Sequence, residues 1–214
     1  MKDFIIIGNR AVTGGKISLD DLPGSAGRMD VLCRCITSSL FVSWGMRRDV
    51  NVHLVLKGAP DPVKIVRFNG LKMRYLSPDE RSSGSLIRKA LLPEADTTER
   101  STTPGVFVRK GTFAGLLSEM KEAGRPVIYL REDGEDIRKV IADAPETLKD
   151  AVYVLGDNQG VSEEDEKTLE EAGARRISLG PAPLLSSQCI TIIQYETDRL
   201  DPPVNERAEK ASPE

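Results

Sequence analysis

The chain has 214 residues, 39% of them hydrophobic, so it is long enough to bury a core and to form one domain. Its 30 Lys and Arg residues against 33 Asp and Glu residues give a formal net charge of −3, which argues against a uniformly basic nucleic-acid-binding coat. The charges are uneven, because residues 1 to 111 carry 18 basic and 11 acidic residues and residues 112 to 214 carry 12 and 22. This asymmetry favours a polyanion as the partner of the first half, although charge alone is equally compatible with an ordinary solvated surface.

Three cysteines, Cys33, Cys35 and Cys189, are too few for a disulfide framework, so we expect a reduced, cytoplasmic protein. The apolar run at 4 to 7 is too short for a signal peptide, and no run of 18 apolar residues follows, so no membrane is expected as a partner. The single histidine, His53, lies in a strand-like run. One histidine excludes a multi-histidine metal site and argues against a Ser-His-Asp hydrolase, so no metal is expected.

Short apolar runs alternate with helical patterns along the chain, which predicts an α/β protein with a largely parallel sheet flanked by helices. The first helix is expected after Pro23-Gly24, with Ser25 as its N-cap. Residues 201 to 214 are polar and rich in proline, which predicts a disordered tail and leaves one domain over 1 to 200. Strands are predicted at 4–8, 51–56, 64–68, 106–109, 126–130, 151–155 and 175–179, and later helices at 82–91, 113–123, 135–143, 163–172 and 184–199.

The familiar phosphate-binding signatures are missing. The run from Gly8 to Lys16 follows a strand, but it has Arg10 where a P-loop needs glycine, and Ile17 where a P-loop needs Ser or Thr. No Gly-x-Gly-x-x-Gly opens a helix either. A nucleotide-like ligand must therefore be held in another way.

The last third of the chain places three loops after strands: one after Leu130, one at Gly156 to Gly160, and one after Leu179. Ligands of open α/β sheets bind beyond the carboxyl ends of strands, and glycine lets a backbone approach a ligand closely. The apolar residues of the last helix lie on more than one face, so we expect it to be buried under its own chain or a second subunit.

The segments Leu155-Gly156-Asp157-Asn158-Gln159-Gly160, Ile177-Ser178-Leu179-Gly180 and Leu184-Leu185-Ser186-Ser187-Gln188-Cys189-Ile190 resemble the cofactor region of SPOUT methyltransferases. Together with Asp3 to Ile7 and Gly27 to Leu32, they are similar to the archaeal members that methylate N1 of pseudouridine in tRNA. The likeness covers nearly the whole chain apart from the tail.

The resemblance implies a SPOUT α/β-knot domain with a deep trefoil knot at its carboxyl end, and a homodimer. It also implies transfer of a methyl group from S-adenosyl-L-methionine to N1 of pseudouridine 54 in the TΨC loop of tRNA. Carried over residue by residue, it places six residues at the cofactor: Leu130, Gly156, Leu179, Gly180, Leu184 and Cys189. Core packing is the competing interpretation of each leucine.

Two groups of residues are candidates for the chemistry, because methyl transfer to a ring nitrogen needs positioning, loss of a proton and stabilisation of charge on a neighbouring carbonyl oxygen. Arg28 and Asp30 open the first long helix, where Asp30 and Arg34 share a face. Asp79 and Arg81 follow Ser77-Pro78. There Ser77 and Glu80 are expected to form a capping box, which leaves Asp79 free for a functional role.

Cys189 is expected to form a wall of the cofactor pocket, since a ring nitrogen can attack the methyl group without covalent help and buried cysteines act as small apolar side chains. Eight basic residues of the first half are candidates for phosphate contacts: Arg47, Arg48, Lys64, Arg67, Lys72, Arg74, Arg88 and Lys89. With ten aromatic residues in the chain, no single-strand stacking platform is expected. Two alternatives remain open: a pseudouridine methyltransferase acting on ribosomal RNA, and a catalytically silent RNA-binding dimer.

Overall fold

A mixed eight-stranded sheet forms the centre of the computed structural model, which describes residues 1–200. The predicted disordered tail at 201–214 lies outside the described residues. The strands of this sheet are β1 (Lys2–Gly8), β4 (Val50–Leu56), β5 (Lys64–Asn69), β6 (Arg100–Thr103), β7 (Val106–Lys110), β8 (Val127–Asp136), β9 (Val152–Gly156) and β10 (Arg175–Ser178), and β2 (Phe41–Val42) pairs with β3 (Gly45–Met46) in a separate hairpin. The strand order is β10-β8-β9-β1-β4-β5-β7-β6.

The first five strands in that order are parallel, and the last three are antiparallel. The prediction of a largely parallel α/β sheet is therefore confirmed, with an antiparallel edge. Helices cover both faces of the sheet. They are α1 (Leu22–Ser25), α2 (Met29–Leu40), α3 (Glu80–Leu91), α4 (Phe113–Glu122), α5 (Ile137–Asp143), α6 (Glu146–Lys149), α7 (Glu163–Glu171) and α8 (Ser186–Asp198).

The central strands are apolar along their whole length because both of their faces are covered. Phe4, Ile5, Ile6 and Ile7 of β1 have no exposed surface. Phe4 and Ile6 point to the face covered by α2, α3, α5 and α8, where the Phe4 ring stacks on Tyr153 at 5.3 Å between centroids. Ile5 and Ile7 point to the face covered by α4 and α7.

The start of the first helix differs from its prediction. Asp21, and not Ser25, caps a single helical turn, α1, by accepting from the Gly24 amide at 2.9 Å. The long helix α2 begins only at Met29, because Gly27 and Arg28 both adopt the left-handed conformation, with φ of 64° and 63°. Ser25 lies in the short turn that precedes this break.

The predicted capping box at Ser77 is also wrong. Helix α3 begins at Glu80, and its N-cap is Asp79, whose carboxylate accepts from the Ser82 amide at 2.7 Å. Glu80 is not a capping partner, since its carboxylate accepts from Arg34 of α2 at 2.9 Å. Asp79 therefore has the structural role that the sequence pattern assigned to Ser77.

The last helix is shorter and less buried than predicted. Leu184 and Leu185 precede α8 and are 37% and 62% exposed, whereas Ile190 and Ile193 are fully buried against α2 and the sheet. Of the two coverings expected for this helix, its own chain or a second subunit, the structure shows the first for Ile190 and Ile193. Besides α1, three short elements were not predicted: the β2–β3 hairpin, the polar edge strand β6 and the single-turn helix α6.

Candidate active site

The carboxyl ends of β8, β9 and β10 meet at one edge of the sheet because these strands are neighbours and parallel. The pairing of β10 with β8 jumps between two consecutive residues, since Arg176 pairs with Tyr129 whereas Ile177 pairs with Glu135. Residues 130–134 therefore leave the ladder and form a bulge beside β10. This bulge is the first of the three loops that the sequence placed at a cofactor.

An apolar cavity of about 40 Å³ lies between this bulge, the loop after β10 and the start of α8. We call it the apolar cavity. Five of the six predicted cofactor residues line it: Leu130, Leu179, Gly180, Leu184 and Cys189. Residues that lie up to 59 positions apart in sequence are thus brought to one small space.

Gly156, the sixth predicted cofactor residue, is the last residue of β9 and does not line this cavity. A Cβ atom at this position would come within 2.1 Å of the Gly160 carbonyl carbon, so the turn from 156 to 160 closes only around a glycine. The Gly156 carbonyl oxygen accepts from the Ser186 hydroxyl at 2.6 Å. The second loop is thereby joined to the first residue of α8.

The bulge is tied to helix α7 on its outer side. Glu166 of α7 accepts from the Tyr129 hydroxyl at 2.7 Å and from the guanidinium of Arg131. Burial and this hydrogen bond raise the pKa of Tyr129 to about 12, so its hydroxyl stays a donor at neutral pH. The anchored bulge supplies Leu130 and Arg131 to the cavity wall.

The chemistry of these walls fits an S-adenosyl ligand, which needs apolar contacts for its base and thioether and backbone groups for its polar edges. Ligand pockets usually measure roughly 300–1,000 Å³, so the cavity must widen to admit one. Ala182 and Leu184, which belong to the exposed segment 181–185, form part of its wall. Burial raises the pKa of the Cys189 thiol to about 11, so the thiol is protonated at pH 7.

A second cavity of about 400 Å³ adjoins the first, and Leu184 lines both. We call it the arginine pocket. Four polar or charged residues lie in its wall: Arg28 just before α2, Arg34 on α2, and Asp157 and Asn158 from the second loop. The arrangement places a polar pocket for a charged or planar partner directly beside the apolar cavity.

Arg28 is held in an unusual backbone conformation. Among the described residues it is the one non-glycine residue with a positive φ, a conformation that costs of order 1 kcal/mol and clusters at functional sites. Gly27 before it lies so close to the Arg10 carbonyl that a Cβ atom would come within 1.8 Å of that oxygen. The turn positions the Arg28 guanidinium, which donates to both oxygens of Asp30 at 3.0 Å.

Asp30 is a buried carboxylate held by two arginines. Arg34 adds a hydrogen bond of 2.9 Å to the two from Arg28, which confirms the predicted i, i+4 pair. Burial opposes ionisation of Asp30, but the hydrogen bonds from Arg28 and Arg34 outweigh it and lower its pKa below the usual 3.8. Asp30 is consequently a weak proton acceptor and a strong positioning group for Arg28.

Asp157 is a site residue that the predictions did not name, although it stands in the Leu155 to Gly160 segment that carried the resemblance. Its carboxylate is 6% exposed and accepts from the Asn9 amide, the Asn9 side chain and the Gln159 amide. The sequence did contain a signal for Asp157, namely an acidic residue between two glycines directly after a buried strand. What the sequence did not show was its partner, Asn9, at the end of β1.

Asp79 and Arg81 lie outside both cavities. Arg81 is exposed and pairs with the carboxylate of Asp20, and Asp79 caps α3. The start of α3 is nevertheless joined to the arginine pocket, because Glu80 accepts from Arg34 at 2.9 Å. The structure thus places Arg28 in the pocket wall with Asp30 as its hydrogen-bond partner, and it places Asp79 and Arg81 outside the pocket.

No helix in residues 1–200 combines the length and apolarity needed to cross a bilayer. Within the same residues, no group of three His, Cys, Asp or Glu side chains is arranged to hold a metal ion.

Fold and site define an α/β protein with a ligand cavity at the carboxyl ends of parallel strands. Residues 1–201 match the model of a protein family described as "Putative SAM-dependent RNA methyltransferase". The chain belongs to this family, and the resemblance to the SPOUT methyltransferases is confirmed.

Two relatives are named tRNA (pseudouridine(54)-N(1))-methyltransferase. The one from Methanosarcina mazei is 57% identical over 201 residues, covering 94% of this chain and 92% of the relative. The one from Methanococcoides burtonii is 55% identical over 199 residues, covering 93% and 96%. Archaeoglobus fulgidus Nep1 bound to S-adenosylhomocysteine has a similar fold, with a TM-score of 0.59 at 17% identity and coverage of 93% of this chain and 98% of that one.

Proposed function

We propose that this protein is a tRNA methyltransferase that uses S-adenosylmethionine to methylate N1 of pseudouridine 54 in the TΨC loop. The observation that carries the proposal is identity of 55–57% over more than nine-tenths of the chain to relatives with that name. The two adjoining cavities support it, because one is suited to an adenosyl ligand and the other to a polar base.

When bound, S-adenosylmethionine would supply a methyl group from its sulfonium to N1 of the base. We assign the apolar cavity, with Leu130, Leu179, Gly180, Leu184 and Cys189, to the donor, and Gly156 to the backbone that closes behind it. Positioning supplies much of the rate of such a transfer. Leu184 lines both cavities, which supports assigning the donor and the acceptor to adjoining spaces.

We assign Arg28 to the carbonyl oxygen next to N1, where a cation stabilises charge that develops as the N1 proton is lost. Asp30 and Arg34 hold that guanidinium in place. Because the pKa of Asp30 is lowered, we assign the N1 proton to water in the open pocket. Asp79 and Arg81, at the start of α3 beside the pocket, are assigned to the RNA around the base.

We propose that residues 1–200 form one domain with a trefoil knot at its carboxyl end. Strand β10 lies beyond β8 at the sheet edge, whereas α8 packs on α2, so the chain between them must cross β8 and β9. Ile137 and Val140 of the β8–β9 connection occupy the same core as Ile190 of α8. A path of the last segment beneath this connection accounts for both observations.

We further propose a homodimer that works in the cytoplasm, where its tRNA substrate is made. Trp44, in the β2–β3 hairpin, is 99% exposed, and Tyr195 on α8 is 59% exposed. Arg47 after the hairpin donates to Asp198 of α8 at 2.8 Å, which keeps the two elements side by side. A second copy covering this apolar surface would remove Trp44 from water. The oligomeric state is measured by light scattering, on the purified protein and on the Trp44→Ser variant.

The activity is tested with a methyl-labelled donor and two synthetic tRNAs that differ only in carrying pseudouridine or uridine at position 54. We expect methylation of the first RNA alone, with the label on N1. Equal methylation of both would refute the base assignment, and preference for a ribosomal RNA fragment containing pseudouridine would refute the tRNA assignment. Donor binding by calorimetry without turnover on any RNA would indicate a silent RNA-binding protein.

A further inference from the structure

A basic groove lies at the end of the sheet opposite to the three cofactor loops. It has a volume of about 740 Å³, and its walls include Arg48, Lys72, Arg74 and Phe107. Arg48 precedes β4, whereas the cofactor loops follow β8, β9 and β10, so the groove is separate from both cavities of the site. None of the described residues that line it is acidic.

The basic groove is built on a fixed turn. Arg48 donates to the carbonyl oxygens of Gly70 at 3.0 Å and Met73 at 2.9 Å, which ties residues 70–73 to the start of β4. Asn69 accepts from the Lys72 amide through its side chain at 2.9 Å. Hydrogen bonds between the side chains of Arg48 and Asn69 and the backbone thus hold the turn, and the exposed side chains of Lys72 and Arg74 extend from it.

The groove also presents an aromatic ring between cations. The Phe107 ring has the Arg67 guanidinium 4.3 Å and the Lys72 ammonium 5.6 Å from its centroid. Arg67 is neutralised by Glu99, but no acidic residue lines the groove beside Lys72 and Arg74. Tyr75, 69% exposed, follows directly along the chain. Cations beside the half-buried Phe107 ring and the exposed Tyr75 ring match the phosphates and base faces of RNA.

One chain segment joins the basic groove to the arginine pocket. Lys72 and Glu80 are eight residues apart, so an extended chain spans at most about 28 Å between them. Glu80 is hydrogen-bonded to Arg34, which lines the arginine pocket. An RNA strand with stacked bases advances by roughly 3.4 Å per nucleotide, so about eight nucleotides cover that distance. A single folded RNA can therefore occupy both places.

We infer that the basic groove binds a part of the RNA substrate outside the loop that carries the modified base, with Lys72 and Arg74 at its phosphates. The inference rests on the proposed function, since it assumes that the base enters the arginine pocket. Its consequence is that the protein binds a whole tRNA more tightly than the isolated T-arm hairpin.

The test compares the double variant Lys72→Gln/Arg74→Gln with a matched control, Lys121→Gln/Lys139→Gln. Both variants remove two positive charges from exposed residues, and the control residues lie on α4 and α5. Affinity is measured by fluorescence anisotropy over a salt series, for a full-length tRNA and for its T-arm hairpin, each with pseudouridine 54. Calorimetry with S-adenosylhomocysteine and light scattering are run on every variant.

We expect the Lys72/Arg74 variant to bind full-length tRNA about tenfold more weakly, with a salt slope shallower by about two. Its affinity for the hairpin and for S-adenosylhomocysteine should match that of the control. Unchanged tRNA affinity would overturn the inference, and so would an equal loss for the hairpin, since the groove would then contact the target arm. A changed oligomeric state would make the groove an interface between copies. A separate result would refute the proposed function: the wild-type protein would methylate neither RNA.

Discussion

Asn9, the first residue after β1, holds both carboxylate oxygens of Asp157, the first residue after β9. The Asn9 amide donates to Oδ2 at 2.7 Å and its side-chain Nδ2 donates to Oδ1 at 2.9 Å. The same Nδ2 also donates to the Gly160 carbonyl at 2.9 Å. The second loop, whose Asp157 and Asn158 line the arginine pocket, is therefore fixed to the end of β1.

Asp157→Asn should loosen this loop. The substitution replaces one acceptor oxygen with an NH2 group that faces N–H donors, which leaves buried donors without partners at a cost of about 1–3 kcal/mol. We expect a lower free energy of unfolding in urea and weaker binding of S-adenosylhomocysteine by calorimetry. Asp49→Asn makes the same chemical change on an exposed residue and should alter neither quantity. Unchanged donor affinity in Asp157→Asn would show that the second loop does not shape the donor site.

Arg28→Lys should reduce turnover without weakening donor binding. Lysine keeps the positive charge but loses the planar pair of donors that Arg28 directs to Asp30, so the cation is no longer fixed in the pocket. Losing one such electrostatic contact lowers kcat by about 100-fold. The measurement is single-turnover methylation together with donor affinity. Retention of full turnover would place the base away from Arg28.

Asp79 has two candidate roles that a pair of variants separates. Asp79→Ala removes the N-cap of α3 and should cost about 1 kcal/mol of stability, whereas Asp79→Ser restores a cap. If Asp79 contacts the RNA, as proposed, turnover falls in both variants while thermal stability recovers in the serine variant. Recovery of turnover together with stability in Asp79→Ser would reduce Asp79 to a capping residue.

Asp30 should give the protein a stability that is lost in acid. Its folded-state pKa is lowered, so its contribution is present above about pH 4 and disappears as the pH falls through the folded-state value. Asp30→Asn, which loses charged hydrogen bonds to Arg28 and Arg34, should be less stable by about 2 kcal/mol at pH 7. Urea unfolding from pH 7 to pH 3 should show this gap narrowing only below pH 4. A gap that stays constant to pH 3 would contradict the ion-pair explanation.

Cys189→Ala should keep most of the turnover. The raised pKa leaves almost no thiolate at neutral pH, and the side chain serves as part of an apolar wall. We expect a few-fold weaker donor affinity from the lost contact, measured by calorimetry, with kcat within about twofold. A drop of kcat by 100-fold or more with donor affinity intact would instead indicate covalent catalysis.

The strands were predictable from the sequence where apolar residues follow one another without interruption. Phe4 to Ile7 and Val152 to Leu155 are continuous apolar runs, and such runs form strands when both faces are covered. The edge strand β6 was missed because Arg-Ser-Thr-Thr has no apolar alternation, and its pairing with β7 supplies the order instead. Ser77 and Asp79 are both good capping residues, so the sequence did not distinguish them. In the structure α3 begins after Asp79, and its first residue, Glu80, accepts a hydrogen bond from Arg34 of α2.

The sequence by itself determined the α/β class, the order of most elements and the segments that carry the SPOUT resemblance, because periodicity and short motifs are properties of neighbouring residues. Only the tertiary structure decided which side chains share a cavity. It joined Asn9 to Asp157 across 148 positions, placed Arg28 in a left-handed turn beside Asp30, and moved Asp79 into a cap. Contacts of this kind depend on how the strands are ordered in the sheet, and no local pattern records that order.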